Sequence, residues 1–453
     1  MKWFSDRKSL LDVARFCLFW LVGGLVVQAD EVIQLNGHHF TMAEGMKIEL
    51  AANSQLCPRP ITASFDDEGV LYVADSSGSN DPVNKQLENP THRILRLTDR
   101  DGDGQFDASS VFADRMMFPE GTLWYRGSLY VAAPPQIWKL TDTDADGVAD
   151  LREVWFDGKT LTGCANDLHG PYLGRDGWIY WCKGAFAEQH YSRKDGNPWS
   201  TRAAHVFRRL PSGGEVESVM AGGMDNPVDV VMTPGGEKIF TTTFLTHPGD
   251  GNRDGLIHAI YGGVYGKDHG VLEGHARTGE LLPPLTHLGA AAPCGLELVE
   301  GANVTSAEGH LLLTCSFNLH KVFWHPLSFM GSRLHAPARD LVVSDQLDFH
   351  PTDVVQAPDG SWLILDTGGW YKLCCPTSQL VKPDVLGGIY RVSAKDTPPV
   401  IDPLGQNLDW APKSPSILIE RFDDPRLFVR RRAIDQFCLL YTSQSPRDAY
   451  VSR

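Results

Sequence analysis

The run PITASFDDEGVLYVAD, which begins at Pro60, contains the pattern that decides the fold. An apolar stretch, a turn with Gly69 and a second apolar stretch follow one another, as in two strands joined by a tight turn. The pattern recurs five more times, starting at Pro119, Leu168, Pro227, Pro293 and Pro351. The position two residues after each start is small or acidic: Thr62, Gly121, Gly170, Asp229, Gly295 and Asp353.

The copies start about fifty to sixty-six residues apart, and such a period is typical of a repeat architecture. Further strand-like runs follow several copies, at 92–97, 137–140 and 388–392. We therefore predict an all-β fold, a six-bladed β-propeller over residues 34–392. A pair of β-sandwiches or a β-solenoid is the alternative. Sandwiches rarely repeat this regularly, however, and solenoid periods are shorter.

The composition agrees with a globular β protein. The 453 residues include 44 Gly and 29 Pro, which fits a chain with many turns. With 42% hydrophobic and 21% charged residues, the chain is not disordered as a whole. Its formal charge of −15 argues against nucleic acid as a partner, because phosphate binding needs a basic face. Beyond the N-terminus, no apolar run reaches the about 18 residues of a membrane span.

The N-terminal segment predicts a signal peptide at residues 1–29. Basic residues precede an apolar core at 16–27, and the small residue Ala29 provides a cleavage site. This pattern predicts an exported protein, periplasmic or on the cell surface. The alternative is an uncleaved segment that keeps the protein associated with the membrane.

The sequence changes character after Val392. Residues 393–415 form a Pro-rich linker, and 416–437 have a helical periodicity that resembles the start of a HEAT-type repeat. One such repeat cannot bury its apolar face alone, so we expect a truncated α-helical segment. Residues 438–453 resemble translated adapter sequence, and we expect them to be a non-native tail.

Two acidic loops follow the pattern D-x-D-x-D-G, in which alternate side chains and a backbone carbonyl can wrap a hard cation. We predict that both bind Ca²⁺. The first loop contains Asp99, Asp101, Asp103, Gln105 and Asp107, and the second contains Asp142, Asp144, Asp146, Val148 and Asp150. Solvated acidic hairpins are the alternative.

A candidate site forms where the innermost strands begin. His169 directly follows the start of the third copy. Residues just before the starts of the copies crowd the mouth of the central channel: Arg59, Asp167, Asn226 and His350. A histidine beside an aspartate can act as a general base at neutral pH. The alternative is a histidine that only satisfies backbone groups between blades. Two further cations, Lys372 and Arg391, can pair with an anionic ligand or remain surface charges.

Three segments carry a family resemblance: NDLHGPYLGRDGWIYW, RPITASFDDEGVLYVAD and NPVDVVMTPGGEKIF. They resemble the soluble glucose/sorbosone dehydrogenase family of six-bladed, PQQ-dependent propellers. The run from about Gln34 to Val392 is more closely similar to a membrane-bound dehydrogenase domain that is common in Planctomycetes. In that group, HEAT-like repeats and a c-type cytochrome domain often follow the propeller.

The resemblance implies an oxidoreductase that oxidises a sugar or polyol with PQQ and Ca²⁺ and passes electrons to an acceptor such as a cytochrome. It implies that His169 takes the hydroxyl proton and that Asp167 orients it. Candidates for holding PQQ are Arg59, Asn226, Lys372 and Arg391. One departure is clear, because Asp225 stands where the family has an arginine before Asn226.

Two other functions compete with the dehydrogenase. A non-catalytic propeller that binds glycans or proteins at the cell surface would explain the loss of that arginine and the HEAT-like segment. A Ca²⁺-dependent lactonase is the second alternative, and it would need a metal inside the central channel.

Overall fold

A computed structural model describes the chain at residues 32–164, 167–192, 196–246, 251–301, 310–370, 382–410 and 415–443. The chain is mostly β-structure, and its four-stranded units are arranged as a six-bladed β-propeller. The predicted fold is therefore confirmed. The predicted signal peptide at residues 1–29 lies outside the described residues.

The first three strands are β1 (Val32–Leu35), β2 (His38–Met42) and β3 (Met46–Ala52). Blade one then consists of β4 (Pro60–Phe65), β5 (Leu71–Asp75), β6 (His92–Thr98) and β7 (Ala108–Met116). Blade two consists of β8 (Thr122–Tyr125), β9 (Ser128–Ala133), β10 (Gln136–Thr141) and β11 (Leu151–Asp157).

Blade three begins with β12 (His169–Leu173) and β13 (Ile179–Lys183). A small hairpin, β14 (Gln189–Ser192) and β15 (Pro198–Thr201), precedes its outer strands β16 (Ala204–Leu210) and β17 (Gly213–Gly222). Blade four consists of β18 (Asn226–Met232), β19 (Lys238–Thr243), β20 (Asp254–His258) and β22 (Thr286–Gly289). Between the last two strands of blade four, β21 (Gly263–Tyr265) pairs in parallel with β17.

Blade five contains β23 (Pro293–Val299), β24 (Leu311–Ser316), β25 (Lys321–Pro326) and β28 (Arg339–Ser344), with the small hairpin of β26 (Ser328–Met330) and β27 (Arg333–His335). Blade six contains β29 (Pro351–Gln356), β30 (Trp362–Asp366) and β31 (Gly388–Ala394). The helices are α1 (Val83–Glu88), α2 (Pro415–Glu420) and α3 (Leu427–Ser443), with 3-10 turns at Gly270–Leu272, Phe317–Leu319 and Arg421–Asp423.

The N-terminal strands close the ring. Strand β3 supplies the outer strand of blade six by pairing with β31, and the β1–β2 hairpin extends blade five beyond β28. The last blade is thus completed by the start of the chain. Each blade remains a separate sheet whose innermost strand is an edge facing the channel, and the radial arrangement keeps these edges short and protected.

The second strand of each blade lies between neighbouring blades. All residues of β5, β9, β13, β24 and β30 are buried. A strand that is covered on both faces needs apolar side chains on both, so these segments read as continuous apolar runs rather than alternating ones. Between blades one and two, for example, the rings of Tyr72 and Trp124 stack with their centroids 5.0 Å apart.

The innermost strands approach one another closely, which explains the small or acidic position of the repeat. A Cβ on Gly121 would lie 1.9 Å from the Gly170 carbonyl oxygen, and one on Gly295 would lie 2.4 Å from the Asp353 Cα. In the copies where this repeat position is Asp, the carboxylate instead accepts a hydrogen bond from the next inner strand. Asp229 accepts a hydrogen bond from the Leu296 N–H at 2.8 Å, and Asp353 accepts one from Ala63 at 3.0 Å.

The C-terminal helices pack against the propeller. The ring of Phe428 on α3 lies 5.9 Å from that of Phe65, and Arg431 Nη2 lies 3.3 Å from Glu300 Oε2. Helix α3 ends at Ser443, six residues beyond the predicted segment end at Phe437. No helix within the described ranges is long and apolar enough to cross a membrane.

Candidate functional site

The candidate site is built by the starts of two adjacent inner strands. His169 begins β12 and Asn226 begins β18. In the structure, His169 Nε2 and Asn226 Oδ1 are 3.0 Å apart, so two predicted residues are brought together. His169 is nearly buried, with 8% of its surface exposed, which places the imidazole in a dry site at the channel mouth.

Glu120 lies on the Nδ1 side of the His169 imidazole. Its Oε2 lies 3.5 Å from His169 Nδ1, and its backbone also forms a hydrogen bond with the ring. These acceptors favour the tautomer with its proton on Nδ1. The Nε2 atom then keeps its lone pair, and the amide of Asn226, whose oxygen and nitrogen can exchange by rotation, can donate to it.

Burial makes His169 a neutral base. Its pKa is lowered to about 4, mainly because burial disfavours the charged form, while the hydrogen bonds to Asn226 and Glu120 act in the opposite direction. At pH 7 the imidazole is therefore neutral, and its Nε2 atom can accept a proton from a bound hydroxyl group.

Asp167 was expected to orient His169, but its carboxylate is directed elsewhere. Asp167 Oδ2 accepts hydrogen bonds from the Thr162 N–H at 2.8 Å and from Thr162 Oγ1 at 2.9 Å. The carboxylate beside His169 is that of Glu120. The sequence contained a signal for Glu120, because it occupies the same position after the repeat start in copy two as His169 does in copy three.

Asp167 instead faces a buried lysine. Lys183, at the end of β13, donates hydrogen bonds from Nζ to the carbonyls of Gly184 at 2.8 Å and Ala203 at 3.1 Å. Burial lowers the pKa of Lys183 to about 8, and the charge of Asp167 opposes this shift. Asp167 lies just before the start of β12, and Lys183 lies at the adjacent end of β13, which pairs with β12.

A lysine lies beside Asp225, the residue that precedes Asn226. Lys267 Nζ donates to Asp225 Oδ1 at 2.6 Å, and it also lies 5.4 Å from the centroid of the Phe244 ring. The loop that carries Lys267 follows β21, so no motif near Asn226 revealed it. A cation is thus present at this part of the mouth, although on a different element.

Arg59 lies at the same end of the propeller, directly before β4. One guanidinium nitrogen donates to the Pro383 carbonyl at 2.6 Å. Within the described part of the chain, Arg59 Nε is buried without a hydrogen-bond partner. Arg59 therefore retains a donor for an anionic ligand.

The other two predicted cations do not add to this site. Arg391 lies on β31 and donates to the Gly104 carbonyl at 3.0 Å and to Asp359 at 2.8 Å. These partners lie at the opposite end of the blades from the mouth, so the prediction for Arg391 is corrected. Lys372 lies outside the described residues.

The two aspartate loops have nearly the same geometry. In the first, Asp99 accepts hydrogen bonds from the N–H groups of Gly102 at 2.8 Å and Gly104 at 2.9 Å. In the second, Asp142 accepts them from Ala145 at 2.7 Å and Gly147 at 2.8 Å. Each loop joins the outer two strands of its blade.

The carboxylates of each loop converge. Ligand oxygens within 4.8 Å of one another come from three residues in each loop: Asp99, Asp101 and Asp107, and Asp142, Asp144 and Asp146. Several predicted ligands, within and outside these two groups, also accept backbone hydrogen bonds. The Asp103 carboxylate accepts from the Gln105 N–H at 2.7 Å, and that of Asp146 accepts from the Val148 N–H at 2.8 Å. Asp150 accepts from the Thr143 N–H at 2.8 Å.

Comparison with known proteins agrees with the fold. A search of curated proteins finds no match. A Trichoderma reesei enzyme of the carbohydrate-active family AA12, in its iodide structure, is 14% identical with a TM-score of 0.55, covering 80% of this chain and 100% of its own. The holo PQQ domain of a pyranose dehydrogenase from Coprinopsis cinerea is 12% identical with a TM-score of 0.52, covering 80% and 98%.

At these identities the solved structures establish the shared fold alone. A family model described as "Domain of unknown function (DUF7133)" matches residues 33–249. This range runs from β1 to the connection between β19 and β20. The protein is thus a six-bladed β-propeller in which the segment from β1 to the connection after β19 matches the DUF7133 model.

Proposed function

We propose that the protein is an exported quinoprotein-type dehydrogenase that oxidises a hydroxyl group of a sugar or polyol with PQQ. The observation that carries this proposal is the neutral, nearly buried His169 between Glu120 and Asn226 at the channel mouth. Similarity of fold to PQQ-binding and carbohydrate-active enzymes supports the choice of chemistry.

The positively charged groups at the channel mouth suit PQQ, which is a polyanionic quinone. Arg59 offers a buried donor, and Lys267 offers an ammonium group shared with Asp225. PQQ, when bound, supplies the quinone that accepts the hydride from the substrate carbon. A c-type cytochrome is the proposed class of electron acceptor, which would reoxidise the quinone.

His169 takes the proton in this mechanism. A substrate hydroxyl that displaces the Asn226 amide as the hydrogen-bond donor to Nε2 loses its proton to the ring as the C–H bond breaks and a carbonyl forms. The proton on Nδ1 stays directed at Glu120, so the developing imidazolium lies beside a carboxylate. Asn226 fixes the plane of the ring and thereby the direction of the Nε2 lone pair.

We also propose that the two aspartate loops bind Ca²⁺ as structural ions. Within the described ranges, metal-ligating side chains gather in threes at these two loops and nowhere in the channel. The proposed Ca²⁺ sites are therefore remote from His169, and no observation favours the lactonase alternative. A non-catalytic binding propeller is favoured by a different observation, since both ring nitrogens of His169 already have protein partners.

The test is a titration of the purified protein with PQQ in the presence of Ca²⁺, followed by dye reduction with a panel of aldoses and sugar alcohols. We expect a PQQ-dependent absorbance change and turnover. His169→Gln should reduce kcat by about 10²–10⁴-fold, the usual contribution of a general base. The control His190→Gln changes an exposed histidine of the same blade and should leave turnover unchanged.

Two results would contradict the proposal. The absence of any spectral change at saturating PQQ would favour the non-catalytic propeller. Full turnover in His169→Gln would show that another group takes the proton.

A further inference from the structure

A cavity of about 350 Å³ with a mixed polar and apolar lining lies on the outer side of the channel mouth. It is formed by β21 and the loop that follows, which contains the 3-10 turn Gly270–Leu272. Five ionisable side chains contribute to its lining: Asp268, His269, Glu273, His275 and Arg277. The site described above uses none of them.

This loop is fixed to the chain segment that leads into Asn226. His269 Nε2 lies 2.8 Å from the Gly223 carbonyl oxygen, and Lys267 is paired with Asp225. The contact is close, because a Cβ on Gly223 would lie 1.8 Å from the Lys267 carbonyl oxygen. The cavity is therefore held next to the residues that position His169.

The cavity presents hydrogen-bonding side chains that suit a ligand rich in hydroxyl groups. Arg277 and Asp268 form an ion pair of 2.7 Å, and His275 Nε2 lies 3.0 Å from Thr201 Oγ1. Carboxylates accept hydrogen bonds from hydroxyl groups, and guanidinium groups donate to them.

An aromatic side chain lies beside His269, one of the residues that line the cavity. Phe186 is 45% exposed, and its ring centroid lies 5.9 Å from that of His269. Binding sites for small ligands commonly combine an apolar surface with a few placed polar groups, within volumes that begin at about 300 Å³. The cavity is large enough for one sugar ring.

We propose that this cavity is a subsite for an internal sugar unit of an oligosaccharide whose terminal unit reaches His169. The role of the terminal unit rests on the proposed function. Binding in the cavity does not, because it can be measured in protein that contains no PQQ.

Gly270 offers a way to fill the cavity without disturbing the fold. It lines the cavity, and a Cβ placed there meets no atom within 4 Å. Gly279 lies in the same loop, has the same open surroundings and does not line the cavity. Gly270→Phe is therefore the test variant, and Gly279→Phe is its matched control.

The experiment is calorimetric titration of PQQ-free protein with maltotetraose, cellotetraose and chitotetraose, with glucose as the single-unit probe. We expect at least one tetrasaccharide to bind the wild type. Its affinity should fall at least tenfold in Gly270→Phe and severalfold in Glu273→Gln, while Gly279→Phe matches the wild type. With PQQ and Ca²⁺ added, KM for glucose should be the same in all four proteins.

The subsite is overturned if no tetrasaccharide binds the wild type, or if Gly270→Phe binds as tightly as Gly279→Phe. Tetrasaccharide binding that is lost in Gly270→Phe, in a protein without turnover, would support the cavity while refuting the dehydrogenase. Unfolding temperatures of the variants identify any that fail to fold, and Glu273→Gln then provides the second measurement because it does not add volume.

Discussion

His169 is held by its neighbours in a state suited to accept a proton. Glu120 occupies the Nδ1 side and Asn226 the Nε2 side, and burial keeps the ring neutral. All three residues begin or precede inner strands of successive blades. The site therefore depends on the angle between blades more than on any local motif.

The pH dependence of kcat/KM should show whether burial lowers the pKa of His169 in the working enzyme. Because burial lowers its pKa to about 4, the fraction of unprotonated base rises with pH through about 4 and is complete from about pH 5 upward. We expect dye-reduction rates to follow this rise and to be level between pH 5 and 8 as far as His169 controls them. An inflection near pH 6.5 instead would mean that His169 is solvated in the working enzyme.

Glu120→Gln should separate orientation from binding. The substitution keeps the backbone contact to His169 but removes the carboxylate beside the developing imidazolium. We expect kcat to fall at least tenfold with little change in KM. The control is Asp167→Asn, which lacks a contact with the imidazole and should act mainly on stability. Equal effects on kcat would assign the orienting role to both carboxylates.

At the scale of elements, the two aspartate loops connect neighbouring blades. The Phe106 N–H donates to the Ala51 carbonyl in blade six, and the Ala149 N–H donates to the Phe112 carbonyl in blade one, both at 2.8 Å. An arginine of the preceding blade lies beside each loop glycine, Arg391 at Gly104 and Arg96 at Gly147. This repeated contact explains Arg391 as a link between blades.

Removal of Ca²⁺ should therefore loosen blade contacts without altering the mouth directly. We expect EDTA to lower the unfolding temperature by several degrees, and Ca²⁺ to restore it better than Mg²⁺, because carboxylate loops of this kind suit the larger ion. Asp101→Asn and Asp144→Asn should each remove part of the Ca²⁺-dependent shift. Asp103→Asn is the matched control, because the Asp103 side chain lies outside the converging group.

A Ca²⁺-dependent shift that is the same in all three variants would place the ion elsewhere. No shift at all would identify the loops as solvated acidic hairpins that hold their turns through backbone hydrogen bonds alone.

At the scale of the whole molecule, helix α3 covers the channel end opposite to the mouth. Its residues meet the turns between the first two strands of several blades. Phe428 packs on Phe65 of blade one, Arg431 reaches Glu300 of blade five, and Asp435 interacts with the charge of Arg126 in blade two.

This packing should contribute to the stability of the propeller. Phe428 is 9% exposed, so Phe428→Ala should lower the free energy of unfolding in urea by about 3 kcal/mol. Ile434, on the same helix, is 43% exposed, and Ile434→Ala should change it by less than about 1 kcal/mol. If both variants unfold like the wild type, helix α3 does not stabilise the ring.

Part of the candidate site was accessible from the sequence, because the repeat aligns the starts of the inner strands. That alignment identified His169 and Asn226 as neighbours at one mouth. It did not distinguish Glu120 from Asp167, since both lie near a repeat start and the choice depends on which carboxylate the bend of the chain turns toward the ring. Lys267 was not found, because it reaches Asp225 across 42 residues from a separate loop.

The sequence by itself determined the architecture of this protein. Each blade is a local succession of strands and turns, so its apolar runs and glycines are readable without long-range information. Only the tertiary structure decided how the ring closes, with β3 completing blade six, and where Arg391 points. The physical reason is that these contacts join residues far apart in sequence, and the angle between blades, which no local pattern encodes, determines which of them meet.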